Sequence, residues 1–149
     1  MTRNEWGATC QAVLDASVPG THFTPFEIAD VGRRIEWTTL QAPAIPLLDT
    51  ALRLIDVLEW VRAENFSAPI LINSWYRDVY YNNACGGAPG SMHMTLGAAD
   101  IVKVGTEPEE VRELLEQHPD ADKFGIGSYE GFSHIDIRGH MMRDAPARW

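Results

Sequence analysis

Three side chains in the second half of the chain can do chemistry together. His93 stands in Ser91-Met92-His93-Met94-Thr95-Leu96-Gly97-Ala98-Ala99-Asp100, and Asp100 closes the same run. A second imidazole, His134, follows in Phe132-Ser133-His134-Ile135-Asp136. Two imidazoles and a carboxylate can hold a zinc ion and leave the fourth position to water, the composition of a hydrolytic rather than a structural site. In a strand, alternate residues share a face, so His134 and Asp136 point the same way, in register with Phe132. The small Ala98 and Ala99 let a neighbouring element approach Asp100. Gly90 and Gly97 give the backbone around His93 the freedom to reach the same point. The remaining histidines have ordinary explanations: His118 near a helix C-terminus suits the macrodipole, and His22 and His140 fall in expected loops.

The elements that must position these groups are readable from periodicity. Trp6, Cys10, Val13 and Leu14 recur at helical spacing over residues 5–16. Thr24-Pro25-Phe26-Glu27 is a capping box with proline at the first helical position. Residues 46–64 predict the strongest helix, with Leu47, Leu48, Ala51, Leu54, Ile55 and Leu58 on its apolar face and Asp49, Arg53, Asp56 and Glu59 on its wet one. Pro69–Asn73 reads as a short buried strand, followed by a loop to Gly90 with a helical turn near 79–83. Ala98–Val104 is a second strand, and Thr106-Glu107-Pro108-Glu109 opens another capped helix that ends near His118-Pro119. Gly125–Tyr129 and Phe132–Ile137 are the last two strands. The order predicts an α+β fold: a small, mainly antiparallel sheet carrying the site, covered by N-terminal and middle helices.

At 149 residues the chain fits one domain with one core, residues 1–22 forming an N-terminal helical extension. Apolar residues make up 45% and charged residues 22%, and no stretch approaches a membrane span. The formal charge of −9, with arginines sparse at Arg33-Arg34, Arg138, Arg143 and Arg148, argues against nucleic acid and anionic membrane surfaces as partners. Cys10 and Cys85 are too far apart in sequence for a zinc knuckle and read as reduced thiols in or near the core. The first residues lack the apolar region of a secretory signal. The expectation is a monomer that accumulates in the cytoplasm and reaches its target after release, or travels in a virion.

Several pieces resemble the M15 family of zinc D-Ala-D-Ala peptidases, particularly its short bacterial and phage branch. Ile72-Asn73-Ser74-Trp75-Tyr76-Arg77 is similar to the family's strand-end SGYR, and Asn82 with Gly86-Gly87-Ala88 to its YN…GGA. Ser91-x-His93…Ala98-x-Asp100 resembles its Ser-x-His-x6-Asp signature. Gly125-Ile126-Gly127-x-Tyr129…Phe132-x-His134-x-Asp136-x-Arg138-Gly139 and Ala147-Arg148-Trp149 complete the likeness. The resemblance implies Zn2+ held by His93, Asp100 and a third ligand, His134 or Asp136. It implies that Arg77 polarises the scissile carbonyl or holds substrate, and that Ser91 contacts substrate or supports a ligand. Trp75, Tyr76, Tyr80 and Tyr81 would wall the groove. The substrate class implied is the peptide of peptidoglycan, cut by a D,D-carboxypeptidase or an endopeptidase.

Two departures stand out. Leu96 occupies the position where the family usually has glycine. The related vancomycin-resistance dipeptidases carry a glutamate three residues before the last histidine, where this chain has Gly131. Against the similar hedgehog zinc domain, Glu130 falls on the catalytic glutamate and Asp136 on a zinc histidine. Glu130 is therefore the first candidate for general base and Asp136 the second. A hedgehog-like module that binds zinc without catalysis is the reading from another class.

Overall fold

The computed structural model describes residues 1–29 and 42–149; Arg33 and Arg34 lie outside them. Helix α1 (Arg3–Ser17) starts at a Thr2–Glu5 capping box, α2 (Pro25–Ala29) follows, and α3 (Leu48–Ala63) is preceded by a 3-10 turn at Ile45–Leu47. The Thr24–Glu27 box forms as its sequence predicts: Glu27 N donates to Thr24 Oγ1 and Thr24 N donates to Glu27 Oε2. Strand β1 (Ile70–Ser74), helix α4 (Val79–Ala84), strand β2 (Ala98–Lys103) and helix α5 (Pro108–Glu116) come next. The chain closes with β3 (Gly125–Tyr129), β4 (Phe132–Asp136) and β5 (Ala147–Arg148).

The five strands form one sheet in the order β1-β2-β4-β3-β5, antiparallel throughout except for β5, which runs parallel to β3. The α+β expectation holds, with β5 as an addition too short to carry a period. At α5 the cap is Glu107, boxed with Glu110, rather than Thr106. Pro108 takes the first helical position, which makes its predecessor the N-cap.

Register gives the sheet two unlike faces. Ile72 pairs with Ile101, and Ala99 and Ile126 pair with Ile135; these join residues of α1, α3 and α5 in one apolar core. Trp6, Cys10 and Leu14 belong to that core, and Trp6 Nε1 donates to Pro43 O at 2.7 Å. Lys103 also points to this side. Its buried ammonium donates to the carbonyls of Val61 (2.7 Å) and Glu64 (2.5 Å), and it lies 5.1 Å from the centre of the Phe66 ring. A cation there suits the C-terminal end of α3, where carbonyls lack a partner within the helix; the Glu64 carbonyl also accepts from Phe66 N.

On the opposite face the register aligns Ser74, Asp100, His134 and Gly127 across β1, β2, β4 and β3. Ala98 and Gly125 flank Asp136 in the next row. Among the described residues, no helix is long and apolar enough to cross a membrane.

Candidate metal centre

His93, Asp100 and His134 converge on the polar face. Each offers one ligand atom, and these atoms lie within 4.8 Å of one another. His93 Nε2 is 3.3 Å and His134 Nδ1 is 2.8 Å from Asp100 Oδ1. All three line a cleft of about 600 Å³, together with Arg77, Ser91, Phe132, Asp136, Trp149 and other residues.

The other atom of each group is already engaged. His93 Nδ1 lies 2.6 Å from Trp75 O, which as an acceptor fixes the proton there and leaves Nε2 unprotonated toward the site. Arg77 Nη2 donates to Asp100 Oδ2 at 2.6 Å and Arg77 Nε to Ser74 Oγ at 3.0 Å, so Oδ1 remains for a cation. His134 Nε2 lies 3.0 Å from Asp136 Oδ2, and Asp136 in turn takes both Nε and Nη2 of Arg138. The site is thus three ligands, each held from behind by a carbonyl, a guanidinium or a carboxylate. That donor set fits zinc, whose histidine ligands usually give their second nitrogen to such a partner.

Electrostatics agree. Burial pushes the His93 imidazole below its ordinary value, against the pull of Asp100, which favours the neutral form that ligates. Burial acts against charge on His134 too, but hydrogen bonds to Asp100 and Asp136 outweigh it and raise its pKa. For Asp100 burial is overcome by the hydrogen bonds from His134 and His93, and for Asp136 by those from Arg138 and His134. Both carboxyls are held well below the usual carboxylate range. Two fixed carboxylates against the same ring make this a place that favours positive charge.

These contacts sort the sequence expectations. The group able to hold a metal includes His134, and Asp136 is hydrogen-bonded behind it. Arg77 is at the cleft, tied to a ligand. Ser91 lines the cleft and caps the short helix Met92–Thr95, its Oγ accepting from His93 N at 3.3 Å. Trp75 and Tyr76 are not among the residues that line the cleft. Trp75 is fully buried, its indole donating to Leu96 O at 3.1 Å and packed edge-on to Phe23, so it serves the site through its carbonyl alone. Tyr76 belongs to the hydrophobic core, and its backbone N–H donates to Ile28 O. Tyr80 is exposed, and Tyr81 lines a second cavity of about 500 Å³ that shares Arg77, Asp100 and Phe132 with the first.

Cys85, expected in or near the core, is exposed at that second cavity, whereas Cys10 is buried and its thiol is pushed up to about 11 by burial. Glu130 sits exposed on the two-residue turn between β3 and β4 and is not among the residues lining the cleft, although its neighbour Tyr129 is. Leu96 adopts φ +60° with its side chain fully buried, a conformation that explains why glycine suits this position. Trp149 and Arg138 also line the cleft, and periodicity alone gives neither a role there.

A family model described as Peptidase M15 matches residues 21–136, a span holding all three ligands. The chain belongs to the M15 peptidase family. M15 peptidases are zinc-dependent, and here His93, Asp100 and His134 form the group able to bind the metal. The family supports metallopeptidase activity for this M15 chain. Among curated proteins no match to the chain is found.

Proposed function

We propose that this M15 peptidase hydrolyses peptide bonds in the stem peptides of peptidoglycan, acting at the cell wall as an endopeptidase. The observation that carries the reading is the convergence of His93, Asp100 and His134 in an open cleft, each ligand fixed from behind. The second cavity across Arg77, Asp100 and Phe132 supports cleavage within a chain, because substrate can extend to either side of the metal group. A D,D-carboxypeptidase, which releases only a terminal residue, has less need of it.

Zinc held by these residues supplies Lewis acidity to a carbonyl and lowers the pKa of water toward neutrality. Arg77 keeps Asp100 oriented and, from its place in the cleft wall, offers its remaining donors to a substrate oxygen. Glu130 is the proposed general base. Its carboxylate is held by no hydrogen bond or ion pair among the described residues, and it projects from a turn flanked by Tyr129 and Phe132, which both line the cleft. It would take a proton from the attacking water and return it to the leaving amine as the C–N bond breaks. Asp136, fully engaged by His134 and Arg138, has the orienting role instead. Ser91 contributes a hydroxyl at the cleft wall.

The position of Glu130 outside the cleft lining favours one other reading, a zinc-bearing module that binds wall peptides without cutting them. Digestion of purified peptidoglycan followed by mass spectrometry separates the cases. New amino termini within the stem or cross-link support the endopeptidase; loss of a single alanine assigns a carboxypeptidase. Saturable binding of zinc-loaded protein with no product assigns the module.

A further inference from the structure

We propose that Trp149 is a positioning residue of the metal centre, holding the His134 imidazole, and the Asp136–Arg138 pair behind it, in the orientation that zinc requires. The proposal rests on the zinc site described above. It starts from the strand that sequence periodicity could not show. Ala147 N donates to Phe124 O, Trp149 N to Ile126 O and Ser128 N to Trp149 O, at 3.1, 3.1 and 3.0 Å, so residues 147–149 are fixed along β3. Arg148 clamps the segment from its other side, reaching Glu116 and the carbonyls of Phe124 and Ala121. Alternation then puts the Trp149 side chain on the polar face of the sheet.

There the indole meets three members of the site. Its ring centre is 5.2 Å from that of His134, the Arg138 guanidinium lies 5.2 Å from its centre, and Nε1–H donates to the Tyr129 hydroxyl at 2.5 Å. Gly127 makes the approach feasible. It pairs directly with His134 across β3 and β4, and a Cβ there would sit 2.5 Å from Trp149 Nε1 and 2.8 Å from Cε2. The glycine is thus the space the indole occupies.

The physical argument is one of restricted motion. His134 is on a strand at the edge of an open cleft, and its two hydrogen bonds constrain the ring within its plane more than they oppose its swinging outward. An aromatic wall whose backbone N–H and carbonyl are both bonded to β3 removes that freedom. It also screens the Asp136–Arg138 pair from water, which strengthens their attraction and hence the hold on His134 Nε2.

The test uses zinc and cobalt(II) alone, with no substrate. Trp149→Ala should weaken zinc binding, measured by competition with a chromogenic chelator, by about tenfold or more, as loss of an outer-shell partner does. The visible spectrum of the cobalt-loaded variant should change, because the ligand field reports the orientation of His134. Trp149→Phe, which keeps a ring against His134 and loses the bond to Tyr129, should restore both readouts. Gly127→Ala should reproduce the alanine variant by displacing the indole, and if it fails to fold the two Trp149 variants decide. A purely structural role would lower Tm while leaving the zinc affinity and the cobalt spectrum of the folded protein unchanged, and that result overturns the proposal. Wild-type protein that takes up neither metal overturns the zinc assignment along with it, whereas normal wild-type uptake with unaffected variants overturns the positioning role alone.

Discussion

The same strands present two faces that are built on different physics. Toward the helices, Ile101, Ile126 and Ile135 are fully buried among apolar neighbours, where any well-shaped hydrocarbon contributes through the area it removes from water. Toward the cleft, Asp100, His134 and Asp136 are nearly as buried, yet each is held by bonds with direction and charge. One face is expected to set stability and the other to set metal affinity. Two sets of residues one position apart in sequence can therefore be perturbed independently.

The sharpest break is His93→Ala. It should reduce zinc content from one ion per chain to near none and peptide hydrolysis to background while the apolar face holds the fold together; atomic emission and circular dichroism on one preparation check it. Stripping the wild-type protein with a chelator should have the same effect on hydrolysis, reversibly. On the opposite face, Ile135→Ala should cost about 2–5 kcal/mol in denaturant unfolding through lost burial and the cavity left behind. The surviving folded molecules should bind zinc as the wild type does. If instead each of these changes moved both readouts together, the separation of faces would be wrong.

Asp136→Asn sharpens the comparison from within the polar face. It keeps the shape but removes the charge that faces His134 and Arg138, and should weaken zinc about 10–100-fold without abolishing binding. The smallest effect lies far from both faces. Glu59 on α3 accepts from His22 N and Thr21 Oγ1 and pairs with His22 Nδ1. Burial of Glu59 is outweighed by these bonds, so its pKa is lowered in the folded state. A lowered folded pKa means stabilisation present above the carboxylate's ordinary value and lost as pH falls through the lowered one. Glu59→Gln should therefore cost about 1 kcal/mol near neutral pH and progressively less in acid, which a pH series of urea melts measures.

Much of this was legible in the sequence for identifiable reasons. The alternation of Phe132, His134 and Asp136, and the small residues before Asp100, are consequences of strand geometry, so the ligands could be placed on one face before any coordinates. Helix α3 announced itself by its wide apolar stripe. What stayed hidden depends on partners that carry no side-chain signature. The acceptor that orients His93 is the carbonyl of Trp75, which every residue possesses, and the indole that suggested a groove wall is turned into the core. Lys103 reads as a solvated charge until α3 is seen to end above it. The two residues of β5 are too few to show a period, so nothing in the sequence gives Trp149 a place on the sheet. Likeness to relatives points to Glu130, but its turn is not part of the cleft lining.

The burial of Lys103 has a practical consequence. The chain has two lysines, Lys103 and Lys123, and the first spends its ammonium on the end of a helix, out of reach of reagents. Apart from the α-amino group, amine-directed cross-linkers and dyes are left with Lys123, whose side chain is about half accessible in its pairing with Asp120. The wild-type protein can thus be tethered to a bead or a sensor surface through very few points, with no engineered tag required.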